Sequence, residues 1–277
     1  MSILRATFQH LPGIGATTEA VLWTHGVTDW EDLERPEAMP GVAPERLERF
    51  RGELRRSRSA LEDGNAEYFA RNLPPSEHWR LYSSFPKRTA FLDIETTGLS
   101  PHQGIVTCVT VHGGGKTRTL VYGEDLEELG ALLRPFALLV TFNGRGFDVP
   151  FLEVHQPELR FPPAHADLRW LLLRLGQKGG LKIIERRLGL GDRTGVEGVD
   201  GLEAVRLWES HRRGVKGALE RLVEYNRKDT QNLEPLMEYA TREMERRLLH
   251  KHRPEVLPQA TSEARLAPVA RYLAGGP

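Results

Sequence analysis

Phe91-Leu92-Asp93-Ile94-Glu95-Thr96-Thr97-Gly98-Leu99 is the stretch on which the reading of this chain turns. Side chains two apart on a strand share a face, so Asp93 and Glu95 point one way while Leu92 and Ile94 point the other. Neighbouring carboxylates repel. A divalent cation relieves the repulsion, because hard cations take carboxylate oxygens as ligands. A solvated strand end would accommodate the same pair, so the tripeptide means a metal site only in company.

Company comes downstream in two places. Phe142-Asn143-Gly144-Arg145-Gly146-Phe147-Asp148-Val149-Pro150 leaves the apolar, strand-like run 137–142, and Asp148 with Pro150 two residues later is helix N-terminal grammar. A carboxylate there stays ionised, as a ligand must, and lies at the carboxyl end of a strand, where α/β proteins place their sites. Further on, Glu224-Tyr225-Asn226-Arg227-Lys228-Asp229 sets Tyr225 and Asp229 one helical turn apart on one face. Taken singly, Asp148 is a helix cap, Asp229 a surface acid and Tyr225 a core ring with its hydroxyl at the rim.

The surroundings supply the frame. Residues 89–95, 105–111 and 117–122 are β-rich, apolar or alternating, and bounded by Gly or Pro; a helix over 124–133 and a strand over 137–142 complete an α/β opening. Beyond Asp148 the pattern predicts helices over 149–155, 167–175, 181–188 and 202–211 and a long one over 215–249. Before the strands the chain reads as helical. Stretches 4–10 and 17–24 flank Leu11-Pro12-Gly13-Ile14-Gly15, a third helix follows Thr28-Asp29, and the breakers Pro36, Pro40 and Pro44 precede one or two exposed helices over 45–72.

With 277 residues the chain has room for about two domains. Apolar residues at 39% and charged residues at 27% describe a soluble globular protein, and no apolar run approaches the roughly 20 residues that a bilayer demands. No membrane partner is expected. Met1–His10 lacks an apolar core and Cys108 is a lone cysteine, so the expected compartment is the cytoplasm. The 38 basic and 38 acidic residues cancel, yet residues 160–187 hold seven basic side chains against two acids. Such clusters commonly coat solvated helix faces; Lys182 and Arg186, one turn apart, are assigned to one in preference to a phosphate contact, and Asp167 to a helix cap rather than to a fifth ligand position.

In order and spacing, Asp-x-Glu on a first strand, Asn-x-x-x-Phe-Asp after a later strand and Tyr-x-x-x-Asp on a late helix resemble the DnaQ-like, or DEDD, 3′-to-5′ exonuclease superfamily. Leu181-Lys182-Ile183-Ile184-Glu185-Arg186-Arg187-Leu188-Gly189 and the upstream hairpin look most like its YprB-type members. The resemblance implies an α/β ribonuclease-H-like fold: a five-stranded mixed sheet with an antiparallel second strand, flanked by helices and preceded by a small helical region. It implies Asp93, Glu95, Asp148 and Asp229 as ligands of two divalent cations, Mg²⁺ or Mn²⁺. Glu224 stands where one branch of the superfamily carries His, which sides the chain with the Tyr branch and implies that Tyr225 orients the attacking water.

Contacts to the terminal nucleotide are implied for Thr96, Thr97 and Leu99, with Asn143 a further substrate-binding candidate; a plain turn role stays open for each of the four. The implied partner is nucleic acid, a single-stranded 3′ end of DNA or RNA. Four intact acids speak against a silent binding module, and the second and third motifs speak against a structure-selective endonuclease. The expected division is a helix-hairpin-helix-like element over 1–35, a helical linker over 36–87, the exonuclease domain over 88–250 and a loose tail over 251–277. The hairpin resembles phosphate-binding versions, but Ala16 and Thr17 follow where many of those carry Lys, so phosphate contact and packing are both open.

Overall fold

The structure, a computed structural model, describes residues 2–35, 42–196, 198, 201–251 and 269–274. Pro36, Pro40 and most of the expected tail lie outside the described residues. The chain forms two compact units, Pro86–Ala240 and a second built from Met1–Phe85 with Thr241–Pro277.

The first of these is an α/β unit. Five strands, β1 (Thr89–Thr96), β2 (Val106–Gly113), β3 (Lys116–Val121), β4 (Leu138–Thr141) and β5 (Ala164–Asp167), make one sheet in the order β3-β2-β1-β4-β5. β2 runs antiparallel to both β1 and β3, while β4 and β5 run parallel to β1. This is the mixed, helix-flanked sheet of the ribonuclease-H-like fold. The β1–β2 register slips between Glu95 and Thr96, a bulge at the end of the acid-bearing strand.

Alternation along β1 divides the two faces. Leu92 and Ile94 enter a core with Val109, Val111, Leu120, Leu139 and the helices α5 (Leu129–Leu133) and α6 (Asp148–His155), whose contribution includes Leu129, Leu133, Phe151 and Leu152. The opposite face, which carries Cys108 and Val121, packs under α9 (Gly201–Arg212) and α10 (Ala218–Gln231) through Leu207, Trp208, Leu222 and Tyr225. Asp93 and Glu95 belong to this second face, so whatever α10 turns toward the sheet meets them. In the chain, α7 (Leu168–Arg174) and α8 (Leu181–Leu188) come between β5 and α9.

The long helix expected over 215–249 is broken at Asn232 into α10 and α11 (Leu233–Lys251). Pro235 accounts for the break: it has no N–H for the carbonyl of Gln231 and its ring crowds that carbonyl.

In the other unit, the helix expected over 4–10 contracts to a 3-10 turn, Ile3–Ala6. The amides of Phe8 and Gln9 instead donate to the Glu19 carboxylate, at 2.7 and 3.3 Å, which outcompetes helical pairing. The hairpin leads into α1 (Ala16–Thr24), with Gly13 at φ 79°; α2 (Trp30–Glu34) opens on an Asp29 capping box, and α3 (Pro44–Glu62) and α4 (Ala66–Asn72) bury Phe50, Leu54 and Phe69. Ala270–Leu273 forms a last short helix, α12. Among the described residues, no helix is long and apolar enough to cross a membrane.

Candidate active site

Three of the four sequence-predicted acids meet on the α10 face. Asp93 and Glu95 from β1 and Asp229 from α10 each bring a carboxylate oxygen within 4.8 Å of the others. Asp148, 4% exposed at the start of α6, stands outside that triple but heads the neighbouring charges that act on Asp93. Burial, and then the charges of Asp148, Asp229 and Glu95, push the Asp93 carboxyl well above the usual carboxylate range. Glu95 is raised in the same way, by burial first and then by Asp229 and Asp148. Burial lifts Asp148 to about 7 against opposing amide hydrogen bonds, one of them from Ile94. A folded chain that crowds like charges out of water has left a charge deficit there.

Tyr225, 4% exposed, is neutral throughout the physiological range: burial and the negative charges of Asp229 and Glu95 drive its hydroxyl far above its ordinary value. One residue on, Asn226 is fully buried and donates from Nδ2 to Asp93 Oδ2 at 2.8 Å, while its Oδ1 has no hydrogen-bond partner. Residues 225, 226 and 229 span about 100° of α10, the arc aimed at the sheet. Asn226 sits inside the quoted motif, but spacing alone assigned it no role.

Two cations also border the acids. Lys182 Nζ lies 4.6 Å from the Tyr225 ring centroid, and its charge draws the Glu95 carboxyl partly back down. The solvated-face assignment for Lys182 is thereby corrected. Arg193 donates from Nη1 to Asp229 Oδ1 at 2.5 Å, and from Nε and Nη2 to the buried Glu185 at 2.5 and 2.9 Å. Neither contact could be read from sequence, because each depends on how α8 and the following loop pack against α10.

The substrate-binding candidates are spread around the strand ends. Thr96 Oγ1 donates to Gly98 O at 2.6 Å and Thr97 Oγ1 accepts from Ile105 N at 3.0 Å, so both hydroxyls close the turn after β1. Leu99 is 90% exposed. Asn143 follows β4 at φ 67° and is fixed on two sides: its amide donates to Asp167 Oδ1 at 2.8 Å, and its Oδ1 accepts from Arg169 Nη1 at 2.6 Å. Gly144 must be glycine, since a Cβ would lie 2.3 Å from Thr141 Oγ1. Asp167 caps α7 by accepting from Arg169 N, as the sequence suggested.

The donor set fits a hard divalent cation: clustered carboxylate oxygens, a further amide oxygen without a partner, and a charge deficit that a dication would relieve.

Fold and site together define the class. A family model of the RNase_H superfamily matches residues 90–241, more than half of the chain, and the chain belongs to that superfamily. Among solved structures it is similar to the family B DNA polymerase from the hyperthermophilic archaeon Pyrobaculum calidifontis, with 16% identity over 69% of this chain and a TM-score of 0.47. The similar part amounts to 30% of that polymerase. It is also similar to a nuclease in its apo form, with 18% identity over 69% of this chain and 85% of that one and a TM-score of 0.43. Brucella melitensis NrnC with bound Mg²⁺ has 17% identity over 65% of this chain and 94% of its own, with a TM-score of 0.31. No curated protein matches the chain.

Proposed function

We propose that the protein is a metal-dependent 3′-to-5′ exonuclease of the Tyr-branch DEDD type, YprB-like, hydrolysing single-stranded DNA or RNA. The observation that carries the reading is the convergence of Asp93, Glu95 and Asp229 within 4.8 Å on a partly buried face. Asp93, Glu95, Asp148 and Asp229 would hold two divalent cations, Mg²⁺ or Mn²⁺. When bound, such ions activate water and neutralise charge on the phosphate and the leaving oxygen.

The chain's own groups supply the rest. Asn226 fixes the orientation of Asp93 through its 2.8 Å hydrogen bond. Tyr225 keeps its proton and donates it toward Asp229 or to a water seated beside it, which orients the nucleophile without providing a base. Lys182, over the Tyr225 ring, offers positive charge to an incoming phosphate. Leu99, 90% exposed beyond β1, would meet a terminal base.

The test is digestion of 3′- and 5′-labelled single strands of DNA and RNA with Mg²⁺ or Mn²⁺. Stepwise shortening from the 3′ end is expected, stopped by a 3′-phosphorothioate and abolished in Asp93→Asn. Cleavage of a circular single strand would replace this reading with an endonuclease, and no hydrolysis of any strand would leave a silent binding module. Tyr225→Phe should lower kcat by about ten- to a thousandfold with KM little changed, because positioning acts chiefly in the transition state. Wild-type kcat in that variant would make Tyr225 a packing residue.

A further inference from the structure

In segment 160–187 every exposed charged side chain is cationic. Arg160, Arg169, Arg174, Lys178, Arg186 and Arg187 are exposed, whereas its two acids, Asp167 and Glu185, are 6% and 2% exposed. Both acids are also spent within the fold: Asp167 on the amides of Asn143, Arg145 and Arg169, and Glu185 on Arg193 and Asn232. The balance of seven against two in the sequence thus understates the charge that this surface shows to solvent.

The same segment carries an exposed aromatic ring. Of the five tryptophans, Trp23, Trp30, Trp79 and Trp208 are at most 5% exposed, whereas Trp170 on α7 is 55% exposed, with Leu173, at 41%, one turn on. The Arg169 guanidinium lies 5.9 Å from the Trp170 ring centroid while bonding Asn143 Oδ1. Asn143 is the one non-glycine with positive φ among the described residues, a conformation held by Asp167. Trp170 is therefore tied through Arg169 to the loop that leads into Asp148.

Topology sets the same surface beside the acids. β1, β4 and β5 are parallel, pairing Phe91 with Val140 and Thr141 with Asp167, so Glu95, Asn143 and the start of α7 all lie at the carboxyl edge of these strands. The far end of the segment returns to the site, with Lys182 over Tyr225.

We propose that Trp170 is a stacking platform for an unpaired base of a single-stranded nucleic acid, with Arg169 and Arg174 on the flanking phosphates. The proposal rests on the nuclease reading and adds a subsite to it. Stacking on a ring face tolerates any base, and guanidinium groups beside the ring track the backbone. Interior bases of a duplex have both faces covered, so the platform selects single strands.

The other tryptophans are buried and give a background that a bound base does not touch, so the quenchable part of the intrinsic fluorescence reports Trp170. Titration of the full chain with a ten-residue oligothymidylate or oligouridylate in chelator should quench emission saturably, and a blunt duplex of that length should not. Trp170→Phe should lose the quenching yet hold a labelled strand within about threefold of wild type, and Trp170→Ala should bind about ten- to a hundredfold more weakly. Arg174→Ala should reduce the slope of log K against log salt by about one. Absence of quenching, or wild-type affinity in Trp170→Ala with an unchanged melting temperature, overturns the platform. If the wild type then still shortens strands with Mn²⁺, the nuclease reading survives; if it does not, both fall.

Discussion

Two buried charge clusters in this chain solve opposite problems. In the N-terminal unit, Arg80 is 1% exposed and bonds both oxygens of Glu19 at 2.9 Å and Glu77 Oε2 at 2.8 Å. Thr7, the amides of Phe8 and Gln9 and the Gln9 side chain take up the remaining valences, and the Trp23 and Trp79 rings lie 5.6 Å from the guanidinium carbon. Burial alone would lower the Arg80 pKa, but the two glutamates hold it above its ordinary value. In the α/β unit, the four acids Asp93, Glu95, Asp148 and Asp229 meet only two cations among the described residues, Arg193 on Asp229 and Lys182 near Glu95, and three of the acids are still pushed up in pKa. A cluster that balances itself is architecture, and one left in deficit is a socket for something from outside.

The largest effect is expected where the balance is internal. Arg80→Met strands two buried glutamates and should cost about 3–5 kcal/mol in urea unfolding. A loss below about 1 kcal/mol would erase the distinction between the clusters.

Opposite pH dependences come next. His10 is 4% exposed, and burial followed by the Arg80 charge lowers its pKa to about 3, against about 6.5 unfolded. Its contribution to stability is complete above about pH 6.5 and is lost as pH falls toward 3. Asp148 is raised to about 7, so without metal its contribution is complete below the unfolded carboxylate value, about 3.8, and is lost as pH rises through 7. Hydrogen exchange resolved by segment should show the region around His10 loosening in acid and the metal-free region around β1 tightening. The same trend in both regions would contradict this.

A smaller effect sharpens the contrast. Asp93→Asn removes a repelled charge and should stabilise the metal-free chain by about 1–2 kcal/mol while abolishing hydrolysis. Destabilisation would mean that the acids are already balanced.

What the sequence showed follows the range of each interaction. Alternation from Phe91 to Glu95 and the i, i+4 pair of Tyr225 and Asp229 are local patterns, so β1 and the acids were legible. β5 was not, because Ala164-His165-Ala166-Asp167 is four residues long and carries no aliphatic run. Pro235 was visible, yet a periodic pattern on both sides of Asn232 masked the break. Lys182 and Arg193 reach the acids only through tertiary packing, and Asn226 gains its role from the rotation of α10 against β1, which spacing does not fix.

The most direct test of the central claim is a melting curve of wild type and Asp93→Asn across a Mn²⁺ titration. The account predicts saturable stabilisation of the wild type, about 2–3 kcal/mol at a hundredfold excess over the dissociation constant, and little or none in the variant. A wild type indifferent to Mn²⁺ and Mg²⁺, or a variant stabilised equally, would contradict the reading of the acidic cluster as a cation site.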